Sequence, residues 1–183
     1  MNKIFIALAS LLLAASVNAQ QKLVPAQSEI NFVIKQMGVP LEGKFSKFDA
    51  QLAFDPKKPE VGKIAFTIDL GSAAVGDADT SKELKKPEWF NVVKFPSAVF
   101  TSTSIKSLAA DRLEVNGTLN IKGNLKPITI PVTLTPSGSG QTLAQGSFVL
   151  KRIDFKIGEG EWTDVSIVAN DVTVKFKLAL AGL

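Results

Sequence analysis

The strongest constraint on this chain is an apolar/polar alternation of period two, repeated along most of its length. Ile30, Phe32 and Ile34 alternate with Glu29, Asn31 and Lys35. Ile64, Phe66 and Ile68 alternate with Lys63, Thr67 and Asp69. The same pattern runs through Leu113, Val115, Gly117, Leu119 and Ile121, through Ile128, Ile130, Val132 and Leu134, and through Val172, Val174, Phe176, Leu178 and Leu180. Successive strand residues point to opposite faces, so each run reads as a strand with one apolar side. Less regular strands are expected over 41–54, 97–103 and 143–153, for about eight or nine in all. Lys122-Gly123-Asn124 reads as a tight hairpin, and 55–59 and 136–140 read as loops. Links this short demand antiparallel neighbours, which points to an all-β barrel or sandwich.

One segment departs from the pattern. Thr80-Ser81-Lys82-Glu83 fits a capping box, with Thr80 as N-cap, and predicts a short helix from about Ser81 to Lys86 before Pro87. Trp89 and Phe90 follow and are expected to tuck inward. At the N-terminus, a basic start at Lys3, an apolar run from Ile4 to Ala15 and small residues before Ala19 read as a secretory signal peptide. Residues 1–19 are therefore expected to be cleaved, leaving one exported domain over 20–183.

Composition narrows the chemistry. The chain has no Cys, no His and no Tyr but 12 Phe. A Ser-His-Asp or Cys-His catalytic set cannot be built, nor can imidazole or thiolate metal sites. Asp77-x-Asp79 has no Glu at the spacing of a calcium loop, and Glu159/Glu161/Asp164 reads as a solvated hairpin tip. The expectation is a protein that is not an enzyme, with no metal and no cofactor. Lysines are scattered, with no stripe of the kind nucleic acid requires, although a weak attraction to an anionic membrane surface is open.

The interior is then the candidate site. The residues expected to line it are Ile30, Phe32, Ile34, Phe45, Phe48, Phe66, Ile68, Trp89, Phe90, Phe100, Leu119, Ile130, Phe148, Leu150, Phe155, Trp162, Val174 and Phe176. Large apolar side chains on facing walls either fill a core or line a tunnel for an alkyl chain, where each buried CH2 contributes ~0.8 kcal/mol. Arg152, Gln36, Asn91 and Ser102 are candidates to contact a head group. The alternative for Arg152 is a local ion pair with Asp154, Glu159, Glu161 or Asp164.

Four stretches in order resemble one family. They are Ser28-x-Ile30-x-Phe32; Gly43-Lys44-Phe45-x-x-Phe48 with Phe54-Asp55-Pro56; Leu84, Trp89-Phe90 and Phe95-Pro96-x-x-x-Phe100; and Val115-x-Gly117-x-Leu119-x-Ile121-x-Gly123-x-x-Lys126-Pro127. The tail Arg152-x-Asp154-Phe155-x-Ile157-Gly158-x-Gly160-x-Trp162-x-Asp164 is similar to exported members. On these residues the chain resembles the YceI-like family. The resemblance implies an elongated, antiparallel, lipocalin-like β-barrel of eight or nine strands with one short helix. It also implies an apolar interior that takes a polyisoprenoid, an isoprenoid quinone or another long-chain lipid, for storage, shielding or transport. A b-type cytochrome partner is implied by some relatives, and a homodimer is compatible with an exposed rim. Many members carry a His near Lys35-Gln36-Met37-Gly38, where this chain has Gln36. The competing expectation is a filled barrel that serves as an envelope scaffold.

Overall fold

The computed structural model describes residues 21–138 and 140–183, so the expected signal peptide and its cleavage site lie outside the described residues. In chain order the elements are β1 (Lys22–Leu23), β2 (Glu29–Gln36), β3 (Val39–Phe45), β4 (Phe48–Ala53), β5 (Lys63–Asp69), β6 (Ala73–Val75), α1 (Ala78–Glu83), β7 (Ser97–Ser107), β8 (Arg112–Ile121), β9 (Asn124–Pro136), β10 (Gln141–Lys151) and β11 (Asp171–Ala181). The strands form one sheet of eleven, ordered β4-β5-β7-β8-β9-β10-β11-β2-β3-β6, with β1 added on β11. Every pairing is antiparallel. The sheet curls until β3 and β4, which lie at or beside its two ends in the strand order, are separated only by Ser46 and Lys47.

The strand count exceeds the expected eight or nine for a local reason. The stretch 41–54 reads as one strand but bends at Ser46-Lys47. There Lys47 N–H donates to Ser72 Oγ (3.1 Å), and Asp69 N–H donates to the Lys47 carbonyl (3.0 Å). The bend lets β3 pair with β2 while β4 pairs with β5. Two short strands, β1 and β6, make up the rest of the difference.

Alternation becomes burial most clearly on β8, where Leu113, Val115, Gly117, Leu119 and Ile121 are buried and their neighbours are not. The β8–β9 hairpin turns on Lys122 (φ 52°) and Gly123 (φ 76°), the paired left-handed conformation that matches strand twist. Three inward glycines sit beneath phenylalanine rings: Gly43 under Phe32, Gly117 under Phe100 and Gly146 under Phe176. Each ring occupies the space that a Cβ would need.

The wall is not evenly stitched. The β9–β10 ladder runs only from Thr142↔Pro136 to Gln145↔Thr133. Along their other edges, β9 stays paired with β8 to Asn124 and β10 with β11 to Lys151. Above Gln145, then, β9 and β10 run as a seam without ladder pairing.

The helix begins three residues earlier than the capping box suggests. Asp77, not Thr80, is the N-cap, and its Oδ1 accepts from Thr80 N–H at 2.8 Å. Hydrogen bonds from the Thr80 backbone and side chain hold the Asp77 carboxyl below the ordinary carboxylate range. A depressed pKa means that the cap contributes above that range and is lost as pH falls through the lowered value. Asp77→Ala is accordingly expected to fray α1 at neutral pH, and the difference from wild type should vanish in strong acid. The Thr80 amide resonance, followed through an acid titration, checks this.

Candidate ligand-binding site

Inside the curled sheet lie two apolar chambers that share a waist. The upper chamber has a cavity volume of about 180 Å³ and the lower about 150 Å³. Ile30, Ile68, Leu119, Phe148 and Val174 border both, so the two chambers abut end to end across these side chains. A dry apolar cavity of ~150 Å³ holds a benzene-sized ring. Two such spaces end to end suit a narrow, extended molecule better than a compact one.

All the expected lining residues border one or other chamber except Phe48 and Phe155. Phe48 instead stacks on Phe66 with ring centroids 5.9 Å apart, in a small cluster with Leu23, Ala144 and Leu180. Phe155 is packed into the main core, in the helical turn Arg152–Phe155. Further lining residues were missed, among them Leu41, Leu70, Ile121 and Val168 above and Leu113, Val115, Val132 and Leu178 below. For those on β8, β9 and β11 the signal was already in the alternation. Leu70 and Val168 sit in irregular segments with no periodic signature.

At the upper end lie two irregular segments, 84–96 and 152–170, that bind each other through backbone. Gly158 N–H and Glu159 N–H both donate to the Glu88 carbonyl at 2.8 Å. Arg152 is the hub of this cap. It borders the upper chamber but is fully buried. Nε donates to the Ala169 carbonyl (3.0 Å), Nη1 to those of Ile157 (2.8 Å) and Gly158 (3.3 Å), and Nη2 to those of Trp162 (2.5 Å) and Val168 (2.6 Å). A guanidinium has five N–H donors, and these five bonds occupy them. Neither sequence expectation holds: no donor is left for a head group, and no carboxylate pairs with the charge. Burial pushes the guanidinium pKa down from its ordinary value, and the five carbonyl dipoles offset that cost.

Lys122 is a second buried cation of the cap. Its Nζ donates to the carbonyls of Pro87 (3.1 Å) and Lys156 (2.7 Å) and to Glu159 Oε2 (2.8 Å). Glu159 is thereby taken. Asp164 accepts from Ser166 N–H and Oγ–H, and these two bonds lower its carboxyl pKa. Asp79 pairs with Lys82 at 2.8 Å. Among the described residues, no three carboxylates gather as a cation site.

The remaining head-group candidates separate. Gln36 borders the upper chamber at the end of β2, in a bridge with Val168. Ser102 sits at the β7 bulge, where its Oγ accepts from Ile64 N–H at 2.8 Å. Asn91 borders neither chamber; it has φ 50°, and its N–H and carbonyl shape the turn after Phe90. Its residue type reflects turn geometry, since Asn tolerates the left-handed region.

Comparisons with known proteins agree with this architecture. A family model described as the YceI-like domain matches residues 21–180. A protein of Salmonella arizonae named Protein YceI is 39% identical over 110 residues, covering 60% of this chain and 57% of the Salmonella protein. The solved structure of Burkholderia cenocepacia BcnA is 39% identical with a TM-score of 0.82, covering 86% of this chain and 98% of that one. A domain from Saccharophagus degradans, described as polyisoprenoid-binding and implicated in plant cell wall breakdown, has a TM-score of 0.73 at 18% identity, covering 88% of this chain and 98% of that one. At that identity the likeness is one of fold.

Proposed function

The chain belongs to the YceI-like family, and on that premise we propose that it binds a long-chain amphiphile, a polyisoprenoid or isoprenoid quinone, along its two-chamber bore. The observation that carries the reading is the shared waist. Five apolar residues border both chambers, which sets the two end to end for one chain to thread by displacing those side chains. The polyisoprenoid-binding description of the Saccharophagus domain supports the ligand class. The leader-like N-terminus supports a periplasmic setting, where the protein would store, shield or carry the lipid between membrane surfaces. The role is binding rather than catalysis. The wall offers burial, and the chain carries no imidazole or thiol for chemistry.

Organic extraction of protein purified from native envelopes, followed by mass spectrometry, is expected to release a stoichiometric long-chain lipid. Ile68 borders both chambers and is half-buried, so Ile68→Trp should obstruct the waist while preserving the fold. Losing even two CH2 groups' worth of burial, at ~0.8 kcal/mol each, weakens binding about tenfold. Titration with long and short prenols should show the long chain losing at least that factor and the short chain much less. An empty extract, together with equal loss for both chain lengths, would refute the reading.

A further inference from the structure

Two tight turns of the sheet share one geometry and carry different residues. Lys122 and Gly123 join β8 to β9 with φ 52° and 76°, and Met37 and Gly38 join β2 to β3 with φ 49° and 81°. The first position of such a turn favours Asn, Asp or Gly, because a longer side chain is strained at positive φ. At Lys122 the side chain accounts for the exception: its Nζ ties the cap together through Pro87, Lys156 and Glu159. Met37 is 77% exposed. A flexible, apolar side chain is therefore held at a disfavoured φ and left in water.

Met37 has apolar company. Its N–H donates to the Ile167 carbonyl (2.7 Å), and Gln36 bridges Val168, so the turn lies alongside residues 165–168. Val39, which closes the turn opposite Gln36, is 60% exposed, and Val165 is 56% exposed. Single exposed apolar residues are ordinary. Three of them, from two segments that meet at one corner, make an apolar tip. Gln36 and Val168 border the upper chamber, which sets the tip on that chamber's rim.

The sheet behind the tip is basic. On the outward faces of β10, β11, β1, β2 and β3, Lys151 pairs with Asp171 (3.1 Å), and Lys177 lies opposite Glu29 in the ladder. That leaves Lys22, Lys35, Lys44 and Lys175 against the single carboxylate of Glu42. On the other side of the molecule, β4, β5, β7 and β8 carry Lys63, Lys106 and Arg112 outward against Asp49, Asp69 and Glu114, which balance. Asp164 is the carboxylate nearest the tip in sequence, and Ser166 N–H and Oγ–H hold it against its own loop.

We propose that the Met37–Val39 turn and Val165 form a docking tip for an anionic phospholipid surface, with Lys35 and the basic face beside it drawn to the head groups. Apolar side chains next to lysines suit that boundary, where the former enter the acyl region and the latter meet phosphate. The proposal goes beyond the lipid-binding reading, because it assigns the surface at which the upper chamber meets a membrane.

Co-sedimentation with vesicles tests it. Wild type is expected to bind vesicles containing phosphatidylglycerol, to bind phosphatidylcholine vesicles much less, and to be released by salt. Met37→Asn gives the turn a preferred residue, so its thermal unfolding should stay level or move up while vesicle affinity falls about tenfold, the scale of burying one apolar side chain. Lys35→Glu should weaken binding about fivefold or more. Lys63→Glu, the same charge change on the balanced side, should leave it unaltered. Wild type that ignores phosphatidylglycerol vesicles overturns the proposal. So does a Met37→Asn chain that binds like wild type, or equal weakening by Lys35→Glu and Lys63→Glu. A wild-type dimer that Met37→Asn dissociates, with no vesicle binding, would make the tip a contact between copies and also overturn it. Should Met37→Asn unfold, the two lysine variants decide. An empty organic extract would leave a positive docking result standing, and failed docking would leave the interior a lipid site, so the two readings fail separately.

Discussion

Arg152→Met is expected to lower the free energy of unfolding by about 3–5 kcal/mol, since a carbonyl left buried without a donor costs about 1–3 kcal/mol and several are left at once. The substitution preserves much of the side chain's bulk, so the loss is not one of packing. It arises because the carbonyls of Ile157, Gly158, Trp162, Val168 and Ala169 all accept from this single guanidinium and would be left buried without a donor. A domain's net stability is only ~5–15 kcal/mol, so the variant should sit near its unfolding midpoint under mild conditions. Arg152→Lys should rescue little, because an ammonium has three donors and no planar fork. Urea unfolding checks this: the midpoint should fall with an unchanged slope. A midpoint within ~1 kcal/mol of wild type would show that the cap holds without its hub. Near-ultraviolet circular dichroism should lose intensity in parallel, since Trp89 and Trp162, 5.5 Å apart, are fixed by the same segments.

Gly146→Ala is expected to destabilise by about 2–3 kcal/mol, against the usual sign. Replacing a strand glycine with alanine normally helps slightly by restricting the unfolded chain. Here the new Cβ would fall onto the Pro131 carbonyl oxygen and within 2.5 Å of the Phe176 ring. A backbone carbonyl cannot move aside as a flexible side chain can, which puts the change in the overpacking range. Gly117→Ala should behave alike, because its Cβ would meet the Thr101 carbonyl and the Phe100 ring. Phe100 and Phe176 both border the lower chamber. Displaced rings would move into the bore, so the same variants should weaken binding of a long chain more than that of a short one. A stabilising Gly146→Ala in thermal unfolding would disprove this account of the wall.

The sheet was legible because its dominant energy term, burial of one face, leaves a period of two in the sequence. Leu113 through Ile121 display it without interruption. The bend at Ser46-Lys47 was not legible, since it depends on contacts with Ser72 and Asp69 far along the chain. The helix start was misplaced because Asp77 and Thr80 are both good N-caps at a spacing of three, and local sequence does not rank them. Arg152 stood out in the sequence, but its partners did not. Backbone carbonyls have no residue signature, so the local sequence points to nearby carboxylates instead. Trp89 was placed inward from its neighbours, and it is buried.

The seam between β9 and β10 gives the wall a direction of mechanical weakness. A barrel stitched by ladders all round is stiff in hoop tension, because widening it anywhere must stretch hydrogen bonds. Above Gln145 the two strands share no rung, although Gly146 and Pro131 remain in close backbone contact, while β8–β9 and β10–β11 hold on either side. Ile128 and Ile130 on one lip and Phe148 on the other border the bore. Along this line, as between the unpaired end strands β4 and β6, the wall is held by side-chain packing rather than by rungs, so a widening of the cross-section is expected to begin there.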